Sequence, residues 1–188
     1  MRRSFLALAL LLAAGVAHAQ FAAFVLPARF ELNAKPGEKL AEVLEVGNDD
    51  TSAGDYRFRT ADWSMKTDGG VDFRTDTLDP QTCRPWVRLE RLTLKVAAKA
   101  KRRYRFEVHV PADAKEGLCR FAILIEPGGE VAAITPSSGI QLPILGRLGV
   151  IVYVRIGDAK PKLALEKLAV PNVNGRDTAV AIFRNEGN

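Results

Sequence analysis

The sequence predicts an all-β sandwich, and three observations carry the prediction. The dominant hydrophobic period is two rather than 3.6. Short strand-like stretches recur at regular intervals with Gly, Pro, Asn and Asp between them. No segment shows an amphipathic helical pattern. A closed barrel is the alternative architecture, but it requires evenly long strands, and these are uneven.

In chain order, Arg29 to Asn48 reads as strand, turn at Lys35-Pro36-Gly37, and strand, closing in the turn cluster Gly47-Asn48-Asp49-Asp50. Tyr56-Arg57-Phe58-Arg59 alternates and runs on to Trp63. Asp68-Gly69-Gly70 then supplies a hairpin turn into Val71-Asp72-Phe73. Trp86 to Leu94 alternates through two shorter strands. Tyr104, Phe106, Val108 and Val110 face one way, with Arg103, Arg105, Glu107 and His109 opposite them. Phe121 to Ile125 is continuously apolar, as a strand buried on both faces would be. Ile140 to Ile156 is a long apolar segment punctuated by Pro143, Gly146 and Gly149. The expected core is Phe30, Val46, Tyr56, Phe58, Trp86, Leu89, Phe106, Val108, Ile123, Ile125 and Val152. At about 1.5–3 kcal/mol per fully buried large side chain, such a core supports independent folding.

Residues 1–19 have the three parts of a secretory signal: Arg2 and Arg3, an apolar run from Phe5 to Val16, and the cleavage site Ala17-His18-Ala19. The run is about 12 residues against the roughly 20 needed to span a bilayer, so stable membrane insertion is not expected. An uncleaved anchor is the alternative. Export makes Cys83 and Cys119, the two cysteines, a candidate disulfide. Both follow turn-like segments and precede apolar stretches, so the sulfurs meet if those stretches are neighbouring strands with matching starts. The alternative is two separate buried thiols. A bridge closing this loop stabilises by about 3–4 kcal/mol.

Composition removes several function classes. Without Arg2 and Arg3 the chain carries 25 basic and 22 acidic residues, a net charge of +3. That gives nucleic-acid binding little support, and the one basic run, Lys99 to Arg103, reads as a solvated strand entry. Of two histidines His18 lies in the leader, which leaves His109 and rules out a multi-histidine metal site. No hydrolase, zinc-protease, phosphate-loop or dinucleotide motif occurs. Asp49, Asp50, Asp55, Asp62, Asp68, Asp72 and Asp76 read as solvated turn acids without calcium-loop spacing. We therefore expect no enzyme, no metal and no cofactor.

Lys162 to Asn188 repeats the opening order of strand, turn at Asn172 to Gly175, strand and Asn. The expected organisation is a signal peptide (1–19), a sandwich domain (20–157) and the beginning of a second, incomplete β domain (158–188). A C-terminal hairpin completing the first domain is the alternative.

Four segments in order give the chain a family resemblance: Pro27-Ala28-Arg29-Phe30 with the strand ending Val46-Gly47-Asn48; Cys83-Arg84-Pro85-Trp86; Val108-His109-Val110-Pro111 followed by Gly117; and the strand Ile140 to Val154. Over residues 24–157 the chain resembles the PapD-like periplasmic chaperones of pilus assembly. The resemblance implies an immunoglobulin-like sandwich, a periplasmic location, and pilin-like subunits and an outer-membrane usher as partners. It implies that the chain lends a strand to an incomplete pilin by β-augmentation. Ile140, Leu142 and Ile144 match the family's alternating donor motif, and their alternative is to face this domain's own core. Arg29 falls where the family has a cleft arginine that holds the client's terminal carboxylate, with a solvated strand residue as its alternative. The family's partner lysine is missing, and Arg147 is the cation in that stretch. A structural or adhesion-type immunoglobulin-like module of the cell envelope is the competing function.

Overall fold

A computed structural model describes residues 22–128, 133–134, 142–143 and 146–187. The first strands are β1 (Ala23–Leu26), β2 (Arg29–Ala34), β3 (Lys39–Asn48), β4 (Gly54–Met65) and β5 (Val71–Arg74). A single 3-10 turn at Arg84–Trp86 leads into β6 (Val87–Leu89), β7 (Thr93–Val96), β8 (Lys101–His109) and β9 (Gly117–Pro127). The short β10 (Ala133–Ile134) and β11 (Leu142–Pro143) pair with each other, and β12 (Leu148–Ile156) follows. Beyond it lie β13 (Leu163–Ala169), β14 (Asn172–Val173), β15 (Arg176–Asp177) and β16 (Val180–Asn185). The expected all-β sandwich is what forms.

One sheet has the order β1-β3-β8-β6, and the facing sheet β2-β12-β9-β4-β5 with β7 also on β4. The first stretch of chain serves both. β1 pairs with β3, and after the Leu26–Pro27 peptide β2 joins the opposite sheet, parallel to β12. The hairpin between β4 and β5 turns on Gly69, whose φ of +85° suits glycine, and Asp68 Oδ1 accepts the Gly70 N–H at 2.8 Å.

The period-two faces meet between the sheets. Eight of the eleven expected core residues are buried in the central cluster, while Phe30, Trp86 and Leu89 are half-buried against it. Phe58 stacks on Tyr104 with ring centroids 3.9 Å apart, and Phe106 meets Phe30 edge-on at 5.2 Å. The interior is dry enough that burial pushes the Tyr104 hydroxyl up to about 12. Its O–H donates to the Arg91 carbonyl. Asn48, almost fully buried, donates to the carbonyls of Ser52, Val96 and Ala97 and so ties the end of β3 to the β7–β8 connection.

β9 is central, between β12 and β4, and Phe121 to Ile125 are all fully buried, as their unbroken apolar run predicts. Their outward members, Ala122 and Leu124, share the outer face of the sheet with Ala61, Trp63 and Phe73. The Phe73 ring lies directly over Gly149, where an added Cβ would come within 2.5 Å of it. Glycine at 149 is thus required by a close approach.

Cys83 and Cys119 form a disulfide with Cα atoms 5.6 Å apart. The route differs from the one expected: β6 and β9 belong to different sheets and are not neighbours. The loop before β6 runs along β9 instead, with Arg120 N–H donating to Gln81 O and Thr82 bridging Arg120. Asp62 also departs from its reading as a solvated acid. It is buried and accepts hydrogen bonds from the Asp79 N–H, the Thr82 hydroxyl and Arg84 Nη1, which anchors the loop that carries Cys83.

β13 and β16 form an antiparallel pair with a bulge between Leu165 and Lys167. Leu163, Leu165, Leu168, Ile182 and Phe183 on this pair are all exposed.

Candidate functional site

Period two places Arg29, Glu31 and Asn33 of β2 on the outward face, beside Ile151, Tyr153 and Arg155 of β12 in a parallel register. The register begins at Arg29 opposite Ile151. Leu148, Gly149 and Val150 are paired with β9 on one side, and β2 offers them no partner on the other. Among the described residues the backbone edge of β12 is therefore unpaired up to the point where Arg29 stands. An unpaired edge of this kind is a template for another strand.

Arg29 is well exposed. Its guanidinium lies 4.7 Å above the Tyr153 ring, and its Nη2 is 2.5 Å from Glu31 Oε1. Both members of that ion pair are more than 60% exposed, so the pair is weak and readily exchanged for another carboxylate. Tyr153 meets Trp63 edge-on at 5.6 Å, and the Arg120 guanidinium covers Trp63 at 4.9 Å. Arg29 and Arg120 thus bracket the Tyr153–Trp63 ring pair, one cation on each ring. A cleft of about 290 Å³ opens here, lined by Arg29, Glu31, Leu118, Tyr153 and Arg155 among others.

Arg147 stands elsewhere. It lies four residues before Ile151, about 13 Å along the strand direction, with Nε 3.9 Å from Glu126 Oε1. Glu126 is buried, and Arg59 holds its other oxygen through Nε at 2.9 Å and Nη2 at 2.6 Å. Two guanidiniums thus compensate a desolvated carboxylate at the root of β12. The cation in the cleft with Arg29 is Arg155, which donates to Asn33 Oδ1 at 3.4 Å. Leu142 lies in β11, and Ile140 and Ile144 fall outside the described residues. The leader also falls outside them.

Sequence reasoning missed Glu31, Tyr153 and Arg155. Alternation along β12 marks Tyr153 and Arg155 as outward residues, but only the β2–β12 register puts them beside Arg29. Among the described residues no cluster of three His, Cys, Asp or Glu side chains could hold a metal ion. No helix among them is long and apolar enough to cross a membrane.

No family model matches the sequence, and no curated protein matches it. Solved structures do. One from a chaperone–tip adhesin complex of CFA/I fimbriae biogenesis aligns with a TM-score of 0.54 at 13% identity, over 88% of this chain and 67% of that one. The class 5 fimbriae chaperone CfaA gives 0.53 at 13% identity, over 88% and 67%. The E. coli chaperone DraB gives 0.50 at 13% identity, over 88% and 85%. At that identity the likeness is one of fold, and the chain has the fold of the PapD-like fimbrial chaperones.

Proposed function

We propose that this protein is an exported, periplasmic chaperone that holds pilus-like subunits by β-augmentation and passes them on for assembly at an outer-membrane usher. The observation that carries this reading is the edge of β12 ahead of Ile151, unpaired among the described residues, with a solvent-accessible Arg29 at its end. Main-chain hydrogen bonds along the edge supply affinity, and alternating side chains supply fit. Ile140, Leu142 and Ile144 precede that edge in the same chain direction and are assigned the role of donor side chains. Arg29 is assigned the client's terminal carboxylate, with Glu31 as the carboxylate it exchanges. Arg147 is engaged by Glu126 and is assigned to the root of the strand rather than to the client. Nothing in this scheme calls for bond chemistry or a cofactor. The likeness of fold to proteins solved in chaperone–subunit complexes supports the same reading.

The test is capture of a co-expressed pilin by affinity pull-down, with thermal melting of each variant alongside. Leu142→Glu is expected to abolish capture and leave the melting temperature within a few degrees of wild type. Arg29→Ala is expected to weaken capture about tenfold, the loss of one charge-assisted hydrogen bond. A Leu142→Glu protein that does not fold, beside an Arg29→Ala protein that captures normally, overturns the reading.

A further inference from the structure

Within the cleft Arg29 and Glu31 neutralise each other, with Nη2 2.5 Å from Oε1. A client carboxylate that takes the guanidinium turns Glu31 loose beside it. Two carboxylates then share one cation, and like charges at that separation repel. Glu31 is the one acid among the residues that line the cleft, so the displaced charge is its alone. Arg29 does not follow it, because the guanidinium is held over the Tyr153 ring.

The same cleft has a second guanidinium. Glu31 stands opposite Tyr153 in the β2–β12 register, and Arg155 stands opposite Asn33, two residues further along the same outward face. The strand spacing and that two-residue step leave the Glu31 and Arg155 Cα atoms roughly 8 Å apart, within reach of two long side chains. Arg155 is exposed. Its hydrogen bond to Asn33 Oδ1 is long at 3.4 Å and gives way readily to a charged acceptor.

We propose that Arg155 is a positioning residue for client capture, which receives Glu31 when the client's terminal carboxylate takes Arg29. Each carboxylate then has its own guanidinium, and Arg155 does not itself touch the client. The relay rests on the strand-addition reading and on the assignment of Arg29 to that carboxylate.

The probe is a fluorescein-labelled peptide of eight alternating Val and Thr residues, made with a free C-terminal carboxylate and as its amide. Binding to the full chain and its variants is read by fluorescence anisotropy in low salt. Wild type is expected to bind the acid about tenfold tighter than the amide, the worth of one charge-assisted hydrogen bond. Arg155→Gln is expected to reduce that margin about threefold, as the loss of an exposed ion pair would, and Arg155→Lys to keep most of it. Glu31→Gln is expected to widen the margin, because Arg29 then has no competing carboxylate. In the Glu31→Gln background, Arg155→Gln is expected to change nothing, since the two residues act as one coupled pair. A loss of equal size in both backgrounds would put Arg155 on the client's carboxylate and overturn the relay. A margin unmoved by Arg155→Gln in the wild-type background overturns it as well, and either result leaves the assignment of Arg29 standing. Equal binding of acid and amide by wild type overturns that assignment and the relay with it. Absence of binding by either peptide overturns strand addition itself.

Discussion

Residues 29–48 and 163–185 are written in the same order, strand, turn, strand and terminal Asn, yet they end in different circumstances. In the first, the strands part company: β2 pairs with β12 in one sheet, while β3 pairs with β1 and β8 in the other. Leu44 and Val46 are fully buried there, and Asn48 satisfies three carbonyls. In the second, β13 and β16 pair with each other, and Leu168 remains 70% exposed. The difference lies in partners. A strand flanked by competitors takes the neighbour that buries its apolar face, and a pair with no facing layer among the described residues keeps that face in water. Alternation specifies a strand; a second layer gives it stability.

The sharpest way to test this contrast is to cut into the layered half. Phe106 touches both Phe30 and Phe121 across the core and is fully buried. Phe106→Ala is expected to cost about 3–5 kcal/mol, through lost transfer energy and the cavity left behind. Urea denaturation followed by the fluorescence of Trp63 and Trp86 measures it, and a loss below about 1 kcal/mol would mean the core is far looser than described.

A smaller effect is expected from removing the covalent tie within the same half. Cys83→Ser with Cys119→Ser releases the loop lying along β9, and its expected cost is about 2–4 kcal/mol. The buried Asp62–Arg84 pair still anchors that loop at 3.1 Å. The double variant should therefore fold and melt lower. A variant that melts at the wild-type temperature would show that the Asp62 contacts fix the loop alone.

The smallest effect belongs to the hairpin. Leu168→Ser is expected to change the stability of the sandwich by less than about 0.5 kcal/mol, because the side chain already meets water. Chemical denaturation of the isolated, monomeric chain reads it directly. A loss comparable with Phe106→Ala would place a covering layer over the hairpin and end the contrast.

Much of this architecture is present in the local pattern. The unbroken run Phe121 to Ile125 announces a strand buried on both faces, and β9 is one. Asp68-Gly69-Gly70 announces its hairpin, since only a few residue types accept the turn's backbone. Arg29 was legible as a candidate only through family resemblance, and its surroundings were not legible at all. Tyr153 and Arg155 lie more than 120 positions away and become its neighbours through one parallel register. Arg147 was the cation the sequence offered in place of the family's lysine, yet Glu126 and Arg59 claim that end of the strand.

The sequence by itself determined the strands, their inward faces, most of the core and the identity of the disulfide partners. These follow from the two-residue period of the extended chain and from turn chemistry, both local. Only the tertiary structure decided that the first stretch serves both sheets, that the Cys83 loop runs along β9, and that Asp62 is buried. It also decided that Arg29 shares its cleft with Arg155. Each of these is a pairing between distant segments, chosen by which arrangement buries apolar surface and satisfies backbone and charged groups together, and no local pattern encodes such a choice.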